Sequence, residues 1–213
     1  EEFKNDTYKA LDRGISINPV LHAFQMVVNE YNIDRALIDK FLESMEKDLN
    51  EITYSSLAYD DYIVGSAEVV GLMCLMVFVN GDESLYDELE DPARRLGAAF
   101  QKVNFLRDVK ADFEDLGRSY FPGVNLTKFT HIEKLKIEAD IAEDFHFALE
   151  GIKKLPSSSK LGVYVAYRYY MSLFKKIKSV PSERLMHERI RVANSKKLYI
   201  TFKSYCRNQL NWI

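Results

Sequence analysis

Leu96-Gly97-Ala98-Ala99-Phe100-Gln101-Lys102-Val103-Asn104-Phe105-Leu106-Arg107-Asp108-Val109-Lys110-Ala111-Asp112 is the stretch on which the fold reading turns. At about 100° per residue, Gly97, Gln101, Asn104, Asp108, Asp112 and the following Asp115 fall on one stripe. Leu96, Phe100, Val103, Phe105, Leu106, Val109 and Phe113 occupy much of the remaining circumference. A surface helix has one apolar face and one broad polar face. This pattern is mostly apolar with a narrow band of amides and carboxylates. It predicts an internal helix whose band faces something polar, because buried carboxylates need partners.

Working outward, Asp91-Pro92 is a helix start signal and Gly117 the next stop. Tyr120-Phe121-Pro122-Gly123 reads as a loop. Upstream, a short helix is expected over 82–89, and Asn80-Gly81 ends a helix that Asp60-Asp61 opens and the apolar run 69–79 fills. Asp34 caps a helix to about residue 50, and Asn18-Pro19 opens one to about 29. Downstream, helices are expected over 131–154, from the Pro156-Ser157-Ser158-Ser159 break to 178, from Pro181-Ser182, and over 195–211. No alternating strand pattern, internal repeat or low-complexity linker is found. The expectation is one all-α domain over 1–213.

Composition narrows the function classes. With 47% apolar and 29% charged residues the chain is globular. A net charge of −3 gives no electrostatic case for nucleic acid. Cys74 and Cys206 form no framework and read as reduced thiols of a cytoplasmic protein. Glu1-Glu2-Phe3-Lys4 has no signal-peptide core, and the run 69–79 falls short of the ~20 residues a membrane span needs. His22, His131, His146 and His187 lack metal-ligand spacing. Glu138, Asp140, Glu143 and Asp144 read as a solvated helix face. Most of Tyr164, Tyr167, Tyr169 and Tyr170 read as helix packing. The basic residues Arg189, Arg191, Lys196, Lys197, Lys203 and Arg207 suit either a plain charged surface or an anionic membrane.

The stripe suits a hard cation. Asp108 and Asp112, four residues apart, project from one side of a helix. Asn104 adds a neutral oxygen one turn earlier. Mg²⁺ is typically held by one or two carboxylates with phosphate oxygens and water. Arg107 can make bidentate phosphate contact, and Gly97 leaves room for a substrate chain. An Asp-x-x-x-Asp pair alone equally belongs on a solvated helix surface.

The residues 96–112, with Gly117-Arg118-Ser119-Tyr120-Phe121-Pro122 after them, resemble the second aspartate-rich motif of the squalene and phytoene synthase family. Met45-Glu46-Lys47-Asp48-Leu49, the helix from Tyr62 to Val69-Val70-Gly71-Leu72-Met73, Tyr170-Met171-Ser172-Leu173-Phe174 and His187-Glu188-Arg189-Ile190 resemble other family segments. Within the family the likeness is greatest to bacterial phytoene synthases. The resemblance implies an isoprenoid-synthase-type helical bundle around a central prenyl-diphosphate cavity. It also implies head-to-head condensation of two geranylgeranyl diphosphates to phytoene through a cyclopropyl diphosphate.

By the same resemblance, Asn104, Asp108 and Asp112 hold Mg²⁺, with Mn²⁺ as an alternative ion, and Asp108 and Asp112 serve catalysis. Arg107, Tyr170 and Arg189 contact diphosphate, and Tyr62 sits at the reacting centre, unless it is a core tyrosine. Ser66, Val70, Gly71, Gly97 and Gln101 line the prenyl tunnel. The family's first aspartate-rich motif is not found, which predicts a chain lacking its N-terminal helices and half of its metal site. A squalene or dehydrosqualene synthase using farnesyl diphosphate is the nearest rival, with NADPH needed for squalene. A non-catalytic relative acting in assembly or binding, and a head-to-tail synthase or terpene cyclase, are more distant rivals. The product is apolar, so peripheral contact with the inner face of the plasma membrane is the alternative to a purely cytoplasmic location.

Overall fold

At α2 and α7 the sequence supplies side-chain partners for the exposed backbone groups of the helix start. A computed structural model describes residues 2–47, 49, 56–116, 120–122, 124 and 129–213, with the backbone alone at 56 and 112–116. The elements are α1 (Glu2–Arg13), α2 (Pro19–Glu30), α3 (Arg35–Lys47), α4 (Ser56–Ile63), a π turn (Val64–Glu68) and α5 (Val69–Phe78). They continue with α6 (Glu83–Leu116), α7 (His131–Lys154), α8 (Ser157–Lys178), α9 (Ser182–Leu185) and α10 (Asn194–Gln209). No strand occurs among the described residues, so the all-α expectation holds.

Several boundaries follow the local chemistry read from the sequence. Asn18 Oδ1 accepts from the amides of Val20 and Leu21 ahead of Pro19. Asn80 and Gly81 take φ of 56° and 76° and stop α5. Thr130 and Glu133 form a reciprocal capping box at the start of α7.

Two expectations need correction. Asp91-Pro92 starts no helix: α6 runs unbroken for 34 residues with Pro92 inside it. Proline removes one intrahelical bond, but its ring here packs on α7. A Cβ at Gly151 would lie 2.2 Å from Pro92 Cβ, so tertiary contact overrides the local signal. Helix α1 was not expected. Thr7, Ala10 and Leu11 bury its inner face at helical spacing, but no proline, glycine or cap residue announces its start.

The main core is organised around α6. Ala99, Val103 and Leu106 are fully buried and pack with Phe145 of α7 and Phe174 and Ile177 of α8. A second cluster, Leu11, Val28, Ile33, Ile38 and Leu42, joins α1, α2 and α3.

Between α3 and α6 lies the continuous helical run of α4, the π turn and α5. Within it, Leu57–Phe78 is long and apolar enough to cross a membrane by length and composition, which extends the shorter apolar run read from the sequence. It packs closely on its two neighbours at its glycines. A Cβ at Gly65 would meet Ser44 Cβ at 2.7 Å, and one at Gly71 would meet the Ala93 carbonyl at 2.8 Å. Asp61 is ion-paired with both Lys40 and Lys47 of α3.

Candidate active site along the central helix

The crossing of α5 and α6 is made by small residues. A Cβ on Gly97 would sit 2.5 Å from the Ala67 carbonyl oxygen in the π turn. Gly97 thus has a packing role that its place on the stripe did not announce: it lets two backbones approach. Beside this crossing is a cavity of about 390 Å³, within the size range of ligand pockets. Ser66, Val70, Gly71, Gly97 and Gln101 all line it, so all five residues expected along the tunnel are gathered on one cavity wall. Most of the remaining wall is apolar, including Leu75, Phe78, Leu96, Phe100 and Leu155.

The same helix carries a polar cluster beyond the cavity. Phe100, on the cavity wall, stacks on Tyr170 with ring centroids 3.9 Å apart. The Tyr170 hydroxyl donates to Asn104 Oδ1 at 3.3 Å. One turn further, Asp108 is gripped from two sides. Arg107 Nε donates to its carboxylate at 3.0 Å, and Arg189, just after α9, approaches with Nε 2.6 Å from Oδ1. Lys110 Nζ donates to the His187 carbonyl at 3.1 Å, tying that segment to α6. Burial works to raise the Asp108 pKa. The hydrogen bonds and charges of Arg107 and the charge of Arg189 outweigh it and hold the carboxyl below its usual range. Thus Arg107, Tyr170, Arg189, Asn104 and Asp108, which lie up to 85 residues apart in the chain, meet at one place.

Tyr62 is 4% exposed and sits in an aromatic cluster, 6.0 Å from Phe105 and 5.6 Å from Tyr120 by ring centroids. It borders the cavity indirectly: Ser66 Oγ, one turn on, donates to its carbonyl at 2.6 Å. Asp112 lies on α6 one turn beyond Asp108, but its side chain is outside the described residues, as are Asp48 and Gly117-Arg118-Ser119.

The donor chemistry for a divalent ion is hard oxygen, from Asn104 Oδ1 and the Asp108 carboxylate. No group of three His, Cys, Asp or Glu residues is gathered among the described residues. An ion held here would therefore draw its remaining ligands from phosphate and water, as Mg²⁺ usually does. It would also compete with Arg107 and Arg189 for the Asp108 oxygens.

Sequence reasoning missed several features. Cys74, Phe78 and Gly162 line the cavity. Their signal was only helical spacing from Val70 and Val163, which does not separate cavity from core. The acidic run of α7 is corrected as well. Asp140 and Glu143 are exposed, but Asp144 is fully buried and Glu138 nearly so. Asp144 accepts from Lys102 Nζ at 2.7 Å and Arg95 Nη1 at 2.8 Å, and Glu138 pairs with buried Lys134. For Asp144 the missed signal was the matching lysine on α6, which a reading of α7 alone does not see; for Glu138 it was Lys134 one turn earlier on α7 itself.

Two solved structures share this fold. A dehydrosqualene synthase in complex with ligand superposes with a TM-score of 0.81 at 17% identity, covering 98% of this chain and 77% of that one. A squalene synthase from Alicyclobacillus acidocaldarius gives 0.73 at 18% identity, covering 89% and 74%.

Among curated proteins, the 15-cis-phytoene synthase of Pantoea ananas is 30% identical over 177 residues, 75% of this chain and 55% of that protein. The 4,4'-diapophytoene synthase of Staphylococcus haemolyticus is 26% identical over 126 residues, 59% of this chain and 43% of that protein. The chain spans about half the length of these curated relatives. The sequence model of the squalene/phytoene synthase family matches residues 1–196. On that match over most of its length, the chain belongs to the squalene/phytoene synthase family.

Proposed function

We propose that this protein joins two prenyl diphosphates head to head, with geranylgeranyl diphosphate as substrate and phytoene as product. The observation that carries the proposal is the continuity between an apolar cavity and a cationic cluster along one helix. The tail of a prenyl diphosphate lies in the cavity, and its diphosphate lies at Arg107, Tyr170 and Arg189. Arg189 is half exposed, so its guanidinium can turn from Asp108 to phosphate oxygens in bidentate contact.

Asn104, Asp108 and Asp112 would hold Mg²⁺, which, when bound, neutralises charge on the departing diphosphate. Departure of the leaving group creates an allylic cation, and the double bond of the second substrate attacks it. The walls at Val70, Leu75, Leu96 and Phe100 keep water from that cation. Tyr62, buried behind Ser66 and packed on Phe105, would stand near the reacting centre.

The likeness to a diapophytoene synthase supports a second reading, condensation of two farnesyl diphosphates, with NADPH required if the product is squalene. A hydrocarbon product leaves into a bilayer, so the reading includes peripheral contact with the inner face of a membrane. Exposed Leu198, Tyr199 and Phe202 on α10, beside Lys196, Lys197 and Lys203, support that contact.

The test is incubation with Mg²⁺ and labelled geranylgeranyl or farnesyl diphosphate, with and without NADPH, and chromatography of the extracted product. A C40 hydrocarbon that disappears with Asp108→Ala is expected. A C30 hydrocarbon would keep the reaction and overturn the substrate. No product from either would overturn the enzymatic reading and favour a non-catalytic relative.

A further inference from the structure

Helix α10 packs antiparallel along α8. The Tyr169 hydroxyl donates to the Lys197 carbonyl at 3.1 Å, and Arg207, further along α10, reaches back to Tyr164. On α8, Val163 and Ala166 face the cavity, and Tyr170 faces Asn104. At about 100° per residue, Tyr164 and Arg168 lie some 100–140° round the helix from Val163. What they hold is therefore separate from the cavity and from the Asp108 cluster.

Tyr164 is 4% exposed, yet two guanidiniums converge on its hydroxyl. Arg168 Nη1 and Arg207 Nη1 each donate to it at 3.0 Å, which puts two like charges within roughly 6 Å of each other. Arg168 also lies over the Tyr164 ring, 5.7 Å from its centroid, a contact that holds the cation in place. Both arginines are half-buried. Neither has a carboxylate partner among the described residues, and the phenol proton finds no acceptor among them. The Asp108 cluster is the contrast, since Arg107 and Arg189 converge there on a carboxylate that offsets their charge. At Tyr164 the shared oxygen is neutral. Burial works to raise the Tyr164 pKa, and the bonds from Arg168 and Arg207 outweigh it, so the place favours a negative charge.

We propose that Arg168, Arg207 and Tyr164 form a binding site for a phosphate group, distinct from the cluster at Asp108. Two guanidinium forks and one phenol proton are donors that lack an anionic acceptor. A phosphate accepts from both forks through its several oxygens and from the phenol as well, and it supplies the charge that the arginine pair lacks. Two sources offer such a group. A phospholipid headgroup suits the surroundings. On α10, Arg207 lies with Lys196 and Lys203 on one flank of the exposed Leu198, Phe202 and Tyr205, the pattern of a helix lying in a membrane interface. A soluble phosphate compound needs only the three donors. The lipid source rests on the membrane contact read above, whereas the phosphate site rests neither on that contact nor on the prenyl cavity.

The test is calorimetric titration with inorganic phosphate, without Mg²⁺, in an Arg189→Ala background that weakens the Asp108 cluster. Beside it, sedimentation with vesicles of phosphatidylcholine, with and without phosphatidylglycerol, uses the protein with Arg189 intact. Arg207→Gln removes a charge and keeps the side-chain length. Tyr164→Phe removes the hydroxyl and keeps the ring stacked on Tyr167, with centroids 6.2 Å apart. Lys196→Gln removes an equal charge from the same helix, and thermal melts check that each variant folds. Arg207→Gln is expected to weaken phosphate binding about 10-fold and Tyr164→Phe about 3-fold, with Lys196→Gln within about 2-fold of the parent. Vesicle binding that falls further in Arg207→Gln than in Lys196→Gln would identify the lipid headgroup as the source. Equal vesicle binding by these two, with the phosphate difference standing, would identify a soluble phosphate compound. If neither phosphate nor vesicle binding separates Arg207→Gln from Lys196→Gln, only net charge is at work and the site is overturned, while the reading of the prenyl cavity stands.

Discussion

Asp108 and Asp144 are two carboxylates each held by two cations, yet their settings are opposite. Asp144 on α7 accepts from Lys102 and Arg95 of α6 and is fully buried. Lys102 also reaches Asp140 at 2.6 Å, so two carboxylates balance two cations. Asp108 on α6 is gripped by Arg107 and Arg189, its side chain is 21% exposed, and that of Arg189 is 51% exposed. In the Asp144 network the carboxylate and Lys102 are buried between α6 and α7, while Arg95 and Asp140 lie at the exposed edge. The Asp108 network can trade a guanidinium for a metal ion or a phosphate without moving a helix. On the proposed function, burial of the carboxylate rather than charge count is what separates the two ion pairs.

The largest expected effect separates the two sites by kind. Asp108→Ala should cut product formation by about 100- to 1000-fold, the scale of losing one preorganised group at a developing charge, with little change in melting temperature. The measurement is a product assay beside a thermal melt. A mutant that melts early in proportion to its lost activity would make Asp108 a structural residue like Asp144.

The next effect is on stability. Asp144→Ala strands Arg95 and leaves Lys102 to Asp140 alone, and should cost about 3 kcal/mol, as broken buried pairs do. For a chain of this size that lowers the melting temperature by roughly 6–12 °C. Activity per folded molecule should persist. Unchanged melting would show that Asp140 and solvent replace the lost partner.

This contrast also explains what was legible in the sequence. The stripe Asn104, Asp108, Asp112 stood out because a polar band is conspicuous on an otherwise apolar helix. Arg189 and Tyr170 came only through resemblance, since no spacing rule joins residues 81 and 66 positions from their partners. The acidic run on α7 looked solvated because helical spacing cannot reveal that Lys102 faces it. Helix α6 was split at Pro92 because the ring's partner, Gly151, lies on another helix. What remained hidden was long-range pairing. What showed was local: caps, stops and the period of α6.

A smaller effect sharpens the comparison at the cations. Arg189→Ala should weaken inorganic diphosphate binding about 10-fold, or ~1.4 kcal/mol, while Lys102→Ala leaves it unchanged. Titration calorimetry with Mg²⁺ and diphosphate reads both. Equal loss in the two variants would mean that the anion is drawn by overall charge rather than by the Arg189 fork.

The smallest effect is in pH. The folded-state pKa of Asp108 lies below its usual value because Arg107 and Arg189 outweigh burial. A depressed carboxyl contributes stability that is complete above its unfolded pKa of about 3.9 and is lost as pH falls through the lower folded value. The wild type should therefore exceed Asp108→Asn in melting temperature by a constant margin from neutral pH down to about 5, and the margin should shrink below about 4. Protonation then frees Arg189 as the mutation does, so the two proteins converge in acid. A margin that instead vanished near neutral pH would place the titrating group elsewhere. It would remove the electrostatic grip on Asp108 as the feature that distinguishes this carboxylate from Asp144.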